Sequence, residues 1–234
     1  MQEKDFDRIQ QRLGGISRRD FMKFCSAIAV SLALPEALGP KIAQAITSPN
    51  RPPVIWLHGS ECTGCSMSLL RAEHPSLEKL IFDLISLDFH ETISAGAGHQ
   101  AEAALEQAVE SNYGKFILVA EGAVPLKDGG IYCRVGGKNF VDVIKEVGPK
   151  AGAVIAVGSC ASWGGVAAMG PNPTECVGVQ SVLTDKTIVS VPGCPPNPYN
   201  LLSTIVYLLT FNKLPELDQE NRPKFAYGRL IHEN

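Results

Sequence analysis

Charge is scarce in this 234-residue chain: only 19% of residues are Asp, Glu, Lys or Arg, and the 21 basic residues do not outnumber the 24 acidic ones. No basic stripe interleaved with aromatics occurs, so the electrostatic footprint of nucleic-acid binding is missing. A small-molecule or protein partner is expected instead. No internal repeat and no low-complexity tract is present. Long apolar runs are also lacking. The run from Phe21 to about Leu38 is interrupted or ended by Lys23, Pro35 and Glu36, and falls short of the roughly 20 apolar residues a membrane helix needs. What remains is 45% hydrophobic, enough to bury one substantial core, so one compact domain with appendages is expected.

The first 45 residues differ from the rest. Arg18-Arg19 precede the apolar run, and Ala43, Gln44 and Ala45 follow it as small residues at a cleavage-like spacing. This is the layout of a signal peptide and not of a core helix. The wording SRRDFMK is similar to the twin-arginine export signal, a route used when a cofactor must be inserted before transport.

From Pro53 onward, short apolar runs alternate with helical patterns. The runs are Val54 to His58, Leu84 to His90, Phe116 to Gly122, Ala153 to Gly158 and Thr187 to Gly193. Helices are predicted over Ser66 to Phe82 with a break at Pro75, Gln100 to Ser111, Asn139 to Val147, and around Gly164 to Met169. A further helix follows the last run, with Asn197 as N-cap and Pro198 in its first turn. Continuous apolar strands alternating with helices predict an α/β fold with a mostly parallel, doubly wound, flavodoxin-like sheet. The tail after Leu214 loses this periodicity and reads as a loop leading elsewhere.

Of the seven cysteines, Cys25 lies in the signal-like segment. Cys62 and Cys65 follow the first strand, Cys160 the fourth and Cys194 the fifth. In an open α/β sheet the carboxyl ends of the strands line one edge, where ligands bind, so four cysteines distant in sequence can meet there. Each lies in a glycine- or proline-rich stretch, GSECTGCS, VGSCASWGG or VPGCPPNP, which suits close backbone approach to a bulky inorganic group.

Several chemistries remain open at this point. A thioredoxin-like dithiol would use Cys62 and Cys65 alone and leave Cys160 and Cys194 unexplained. A disulfide framework is not needed by a chain with this much core. Zinc fits four thiolates, but structural zinc usually draws on two paired C-x-x-C knuckles. One pair plus two single cysteines favours an iron-sulfur cluster.

The segments RPPVIWLHGSECTGCSMSLLR, VPLKDGGIYCRVGG, AVIAVGSCASWGGV, VPGCPPNPYNLL and FAYGRLIHE together resemble the small, electron-transferring subunit of nickel-iron hydrogenases. The resemblance covers almost the whole chain, with its motifs in order. It implies a twin-arginine signal peptide over 1–45, a flavodoxin-like domain over 46–213 that binds a proximal four-iron four-sulfur (4Fe-4S) cluster, and the truncated start of a C-terminal iron-sulfur domain over 214–234. It implies Cys62, Cys65, Cys160 and Cys194 as the cluster ligands. The implied function is to pass electrons from dihydrogen oxidation toward an external acceptor, as one subunit of a heterodimeric hydrogenase that is inactive alone. The implied partners are a large subunit holding the nickel-iron centre, the twin-arginine translocase, and a membrane electron acceptor or cytochrome subunit. The implied location is the periplasm or the periplasmic face of the cell membrane.

Two further implications are specific. Oxygen-tolerant members carry extra cysteines at the positions of Gly64 and Gly165, so glycine there implies an ordinary cubane and an oxygen-sensitive enzyme. His232 matches a ligand of the family's distal cluster, but the chain stops at Asn234, where the family's next Cys would follow. Medial and distal clusters are therefore expected only in a longer chain.

Other residues invite weaker readings. Glu61 and Glu121 are possible accessory groups near the cysteine loops, Glu61 fitting a solvated loop carboxylate equally well. Trp163 reads as subunit-interface packing, and Cys133 and Cys176 as packing thiols. His58, His74, His90 and His99 show no metal-ligand spacing. Two other functions compete: a docking or assembly module that binds the large subunit without a complete relay, and an iron-sulfur subunit of a quinone-reducing complex. The second usually has adjacent cysteines, and the C-x-x-C spacing argues against it.

Overall fold

The computed structural model describes residues 18–32, 34–46, 51–72, 85–229 and 232. Five parallel strands form the central sheet: β1 (Pro53–His58), β2 (Ser86–His90), β3 (Ile117–Glu121), β4 (Ala153–Val157) and β5 (Ile188–Val191). They lie in the order β2-β1-β3-β4-β5, with every neighbouring pair parallel. This is the flavodoxin-like order, with its reversal between β1 and β3. The strands read as continuous apolar runs because both faces of the sheet are covered: all five residues of β3 and all four of β5 are buried.

Alternation along the strands assigns the two faces. Ile55, Leu57, Leu118, Ala120, Val154 and Ala156 pack against α4 (His99–Ser111) and α5 (Phe140–Val147). Val54, Trp56, Ile117, Val119, Ile155 and Val189 face the other way, against α3 (Gly64–Leu70) and α7 (Pro198–Phe211). Helix α7 starts as the sequence predicts. Asn197 is its N-cap, its side chain accepting a hydrogen bond from the Tyr199 amide at 3.0 Å, and Pro198 is the first helical residue.

Two expectations are corrected, and one further segment shows packing that its sequence does not predict. The segment around Cys160 reads as a glycine-rich turn but forms a short helix, α6 (Gly158–Trp163), followed by a 3-10 turn over Gly165–Ala168. Six residues give too little periodicity to reveal a helix in sequence. The segment with the signal layout is folded as two helices, α1 (Arg18–Ser31) and α2 (Gly39–Ile46). Phe21, Cys25, Ala29 and Leu32 of this segment are buried together with Ile42, Ala43 and Ile46, in the apolar cluster that contains α7. An apolar stripe on a helix finds cover where an all-round apolar helix such as α7 lies nearby. The tail after Leu214 does not lead away: the Asn221 carbonyl accepts from Ser190 N of β5 at 2.8 Å, and Tyr227 of α8 (Lys224–Tyr227) donates to the Pro192 carbonyl at 2.9 Å. The predicted continuation of α3 to Phe82 and the start of β2 at Leu84 lie outside the described residues.

Candidate metal centre

The carboxyl ends of β1, β3, β4 and β5 share one edge of the sheet, and the cysteine loops leave from three of them. Cys62 and Cys65 lie between β1 and the first turn of α3, Cys160 in the first turn of α6, and Cys194 just after β5. Short hydrogen bonds lock these loops together. Ser159 donates its backbone N–H to the Gly193 carbonyl at 2.9 Å, and the Gly193 N–H donates to Ser159 Oγ at 3.2 Å, so the Cys160 and Cys194 loops are zipped side to side. Ser68 Oγ of α3 donates to the Pro196 carbonyl at 2.8 Å, tying the Cys62–Cys65 segment to the Cys194 loop.

Glycine makes the close approach possible at Gly158. Its φ is +84°, and a Cβ there would lie 2.4 Å from Cys65 Sγ, so only glycine lets the start of α6 pass beneath that thiol. At Gly165 a Cβ would meet Cys160 Sγ at 2.6 Å, and at Gly64 one would meet Cys62 Sγ at 3.1 Å. The two glycines singled out in sequence therefore both border a thiol.

The thiols share an electrostatic environment. Burial pushes the Cys65 thiol well above the ordinary range, and the Glu121 carboxylate and the thiols of Cys160 and Cys62 add to the rise. Burial also raises Cys160. The Val166 N–H opposes that rise, while Cys194 and Cys62 increase it. Four thiols that repel one another as thiolates, with Cys65 and Cys160 half-buried and Cys62 and Cys194 exposed, need positive charge to ionise together; bound metal ions provide it and deprotonate coordinating thiols outright. Their spacing bears on which metal group fits. A single tetrahedral zinc with bonds of about 2.3 Å draws sulfurs to about 3.8 Å of one another. Among the described residues the one close group of metal-ligating side chains is His58, Glu61 and Glu121, whose ligand atoms lie within 4.8 Å of one another. One cysteine pair and two single cysteines from three loops suit a multi-iron cluster better than a structural zinc, which usually draws on two C-x-x-C pairs.

Behind the thiols lies a buried polar network. Glu121, at the end of β3 and 1% exposed, accepts from Cys65 N at 3.0 Å, Ser66 N at 3.1 Å, Ser66 Oγ at 2.6 Å and Trp56 Nε1 at 3.1 Å. Glu61 lies 3.2 Å from His58 Nδ1 and accepts from Thr63 Oγ1 at 3.2 Å. Burial raises its pKa, while the bonds from His58 and Thr63 act to lower it. Glu61 is thus largely buried rather than a solvated loop carboxylate. His58 and His90 were set aside for want of ligand spacing, yet their rings lie 4.8 Å apart within this network. The signal that places them is strand register: His58 pairs with Glu121 across β1 and β3, and Trp56 with His90 across β1 and β2. Cys176 is buried and Cys133 partly so, as expected of packing thiols. Trp163 is exposed beside Cys160, and His232 is exposed.

A family profile described as NADH ubiquinone oxidoreductase, 20 Kd subunit, matches residues 62–208, a span that holds all four converging cysteines. The Hydrogenase-2 small chain of Escherichia coli is 52% identical over 220 residues, covering 94% of this chain and 59% of that one. The periplasmic NiFe hydrogenase small subunit 1 of Nitratidesulfovibrio vulgaris is 50% identical over 230 residues, covering 97% of this chain and 72% of that one. The chain belongs to the small-subunit family of nickel-iron hydrogenases. Solved hydrogenase structures share the fold: a reduced, active Ni-Fe-Se hydrogenase of Desulfomicrobium baculatum superimposes with TM-score 0.76 at 38% identity, over 79% of this chain and 73% of that one. The chain spans about three fifths of the length of the Escherichia coli small chain.

Proposed function

We propose that this chain is the electron-transfer subunit of a nickel-iron hydrogenase, and that Cys62, Cys65, Cys160 and Cys194 hold a proximal 4Fe-4S cluster. The observation that carries this reading is the convergence of four cysteines from the ends of three strands, close enough that Cys65 and Cys160 feel each other and both feel Cys62. When bound, such a cluster supplies reversible one-electron transfer at a potential set by charge, burial and hydrogen bonds to sulfur. The residues of the chain do the rest. The Ser159–Gly193 and Ser68–Pro196 bonds hold the three loops rigidly, Gly158 lets the backbone pass close to Cys65, and Val166 N–H donates to Cys160.

The partner is proposed to be a large subunit bearing the nickel-iron centre, which completes the hydrogenase. Met67, Leu70, Trp163, Val166, Met169 and Tyr199 are all exposed and all lie on or next to the segments that carry the cysteines. An apolar surface of this kind marks a protein interface and would bring the cluster to the partner. Glu61 and Glu121 are accessory groups in this reading, and His232 would be a distal-cluster ligand within a longer chain that also carries a medial cluster. Glycine at 64 and 165 leaves four thiolates and an oxygen-sensitive enzyme. Export by the twin-arginine translocase, after cleavage near Ala45, places the protein in the periplasm or at the periplasmic membrane face, where a membrane acceptor or cytochrome subunit would take its electrons. Among the described residues no helix is long and apolar enough to cross a membrane.

The test is anaerobic reconstitution of the full chain with iron and sulfide, with zinc as competitor. About four irons per chain are expected; stoichiometric zinc in place of iron contradicts the assignment.

A further inference from the structure

Burying a carboxylate as fully as Glu121, 1% exposed, is costly unless donors surround it. Every hydrogen bond it makes is one it accepts: from Trp56 of β1, and from the amides of Cys65 and Ser66 and the hydroxyl of Ser66 in the first turn of α3. A side chain that only accepts is an ionised carboxylate. The chain of protons behind it is fixed as well. Thr92 N–H donates to His90 Nδ1 at 3.3 Å, so the ring proton of His90 sits on Nε2. That nitrogen lies 3.2 Å from Ser66 Oγ, and Ser66 in turn donates to Glu121 at 2.6 Å. Burial, with His58 nearby, lowers the His90 pKa to about 4 and keeps the ring neutral. Glu121 therefore presents an all-acceptor carboxylate to the Cys65 amide, and one of its four donors, the Ser66 hydroxyl, is oriented by His90.

Resting on the cluster reading above, we infer that Glu121 is the positioning and tuning residue of this centre. It clamps the Cys65–Ser66 backbone and holds the charge that lowers the reduction potential of a cluster bound there. A negative charge beside a cluster disfavours adding an electron.

The test uses the full chain reconstituted anaerobically, with midpoint potential by redox titration and amide exchange at Cys65 and Ser66 as readouts. Glu121→Gln removes the charge and is expected to raise the potential enough to change the reduced-to-oxidised ratio at fixed potential about tenfold, which is 59 mV for a one-electron couple. Ser66→Ala removes the proton that offsets the carboxylate and is expected to lower the potential. Glu121→Asp, which keeps the charge, should restore a near wild-type value. Both Glu121→Gln and Ser66→Ala should quicken exchange of the Cys65 amide. Opposite shifts separate a charge effect from simple loosening, which would move both variants the same way. Loaded variants with wild-type potentials overturn the inference. If Glu121→Gln does not fold, Ser66→Ala decides alone: a downward shift supports the inference and an unchanged potential overturns it. A wild-type chain that takes up no iron overturns the cluster reading, and this inference with it.

Discussion

Single residues at the strand ends bear the strictest requirements. Gly158 combines a φ of +84° with a missing Cβ whose place is 2.4 Å from Cys65 Sγ. Gly158→Ala is expected to cost about 1–2 kcal/mol from the left-handed backbone alone, and to lower iron content by displacing that thiol. Urea unfolding and iron per chain check this; wild-type values for both would contradict it. His90 gives a pH signature. Its folded pKa, lowered from 6.5 to about 4 by burial and by His58, means the unfolded chain takes up the proton first as pH falls. The stability of neutral His90 is fully present above about pH 6.5 and is lost progressively as pH falls to about 4. Urea midpoints of the metal-free chain should show this slope in the wild type and a flatter one in His90→Gln; equal slopes would contradict it. The place of Cys62, Cys65, Cys160 and Cys194 beyond strand ends was legible in sequence because their loops follow runs whose apolar character marks strands. Trp56, His58 and His90 were not, because their meeting depends on the register between β1, β2 and β3, which no local pattern encodes.

Whole elements were legible in proportion to their length and burial. The five strands and the helices α4, α5 and α7 follow from apolar periodicity and, for α7, from the Asn197-Pro198 start. Helix α6 escaped because six residues flanked by glycines look like a turn. The packing of α1 was not legible for a different reason: an apolar stripe suits both a signal segment and a packed helix, and its cover here comes from α7, distant in sequence. In the structure Cys25 is sealed within that packing, its pKa pushed up to about 12 by burial. Arg19, at the start of α1, is exposed. Replacing Arg18-Arg19 by Lys-Lys is expected to retain the protein in the cytoplasm, read by cell fractionation. Unchanged export would contradict the twin-arginine reading.

At the scale of the whole molecule, the parallel sheet is a device for bringing distant cysteines to one edge. The order β2-β1-β3-β4-β5 sets β1, β4 and β5 so that their following loops meet, and the hydrogen bonds among Ser159, Gly193, Ser68 and Pro196 close them into one rigid frame. Exposed apolar residues, among them Met67, Trp163 and Val166, lie beside that frame. The account thus turns on the four cysteines acting as one cage, and electron paramagnetic resonance of the reduced, reconstituted chain tests it most directly. The wild type is expected to give the signal of a reduced four-iron cluster, and Cys62→Ser, Cys65→Ser, Cys160→Ser and Cys194→Ser each to lose or alter it, while Cys133→Ser and Cys176→Ser keep it. A signal that survives unchanged in Cys160→Ser or Cys194→Ser would contradict the account.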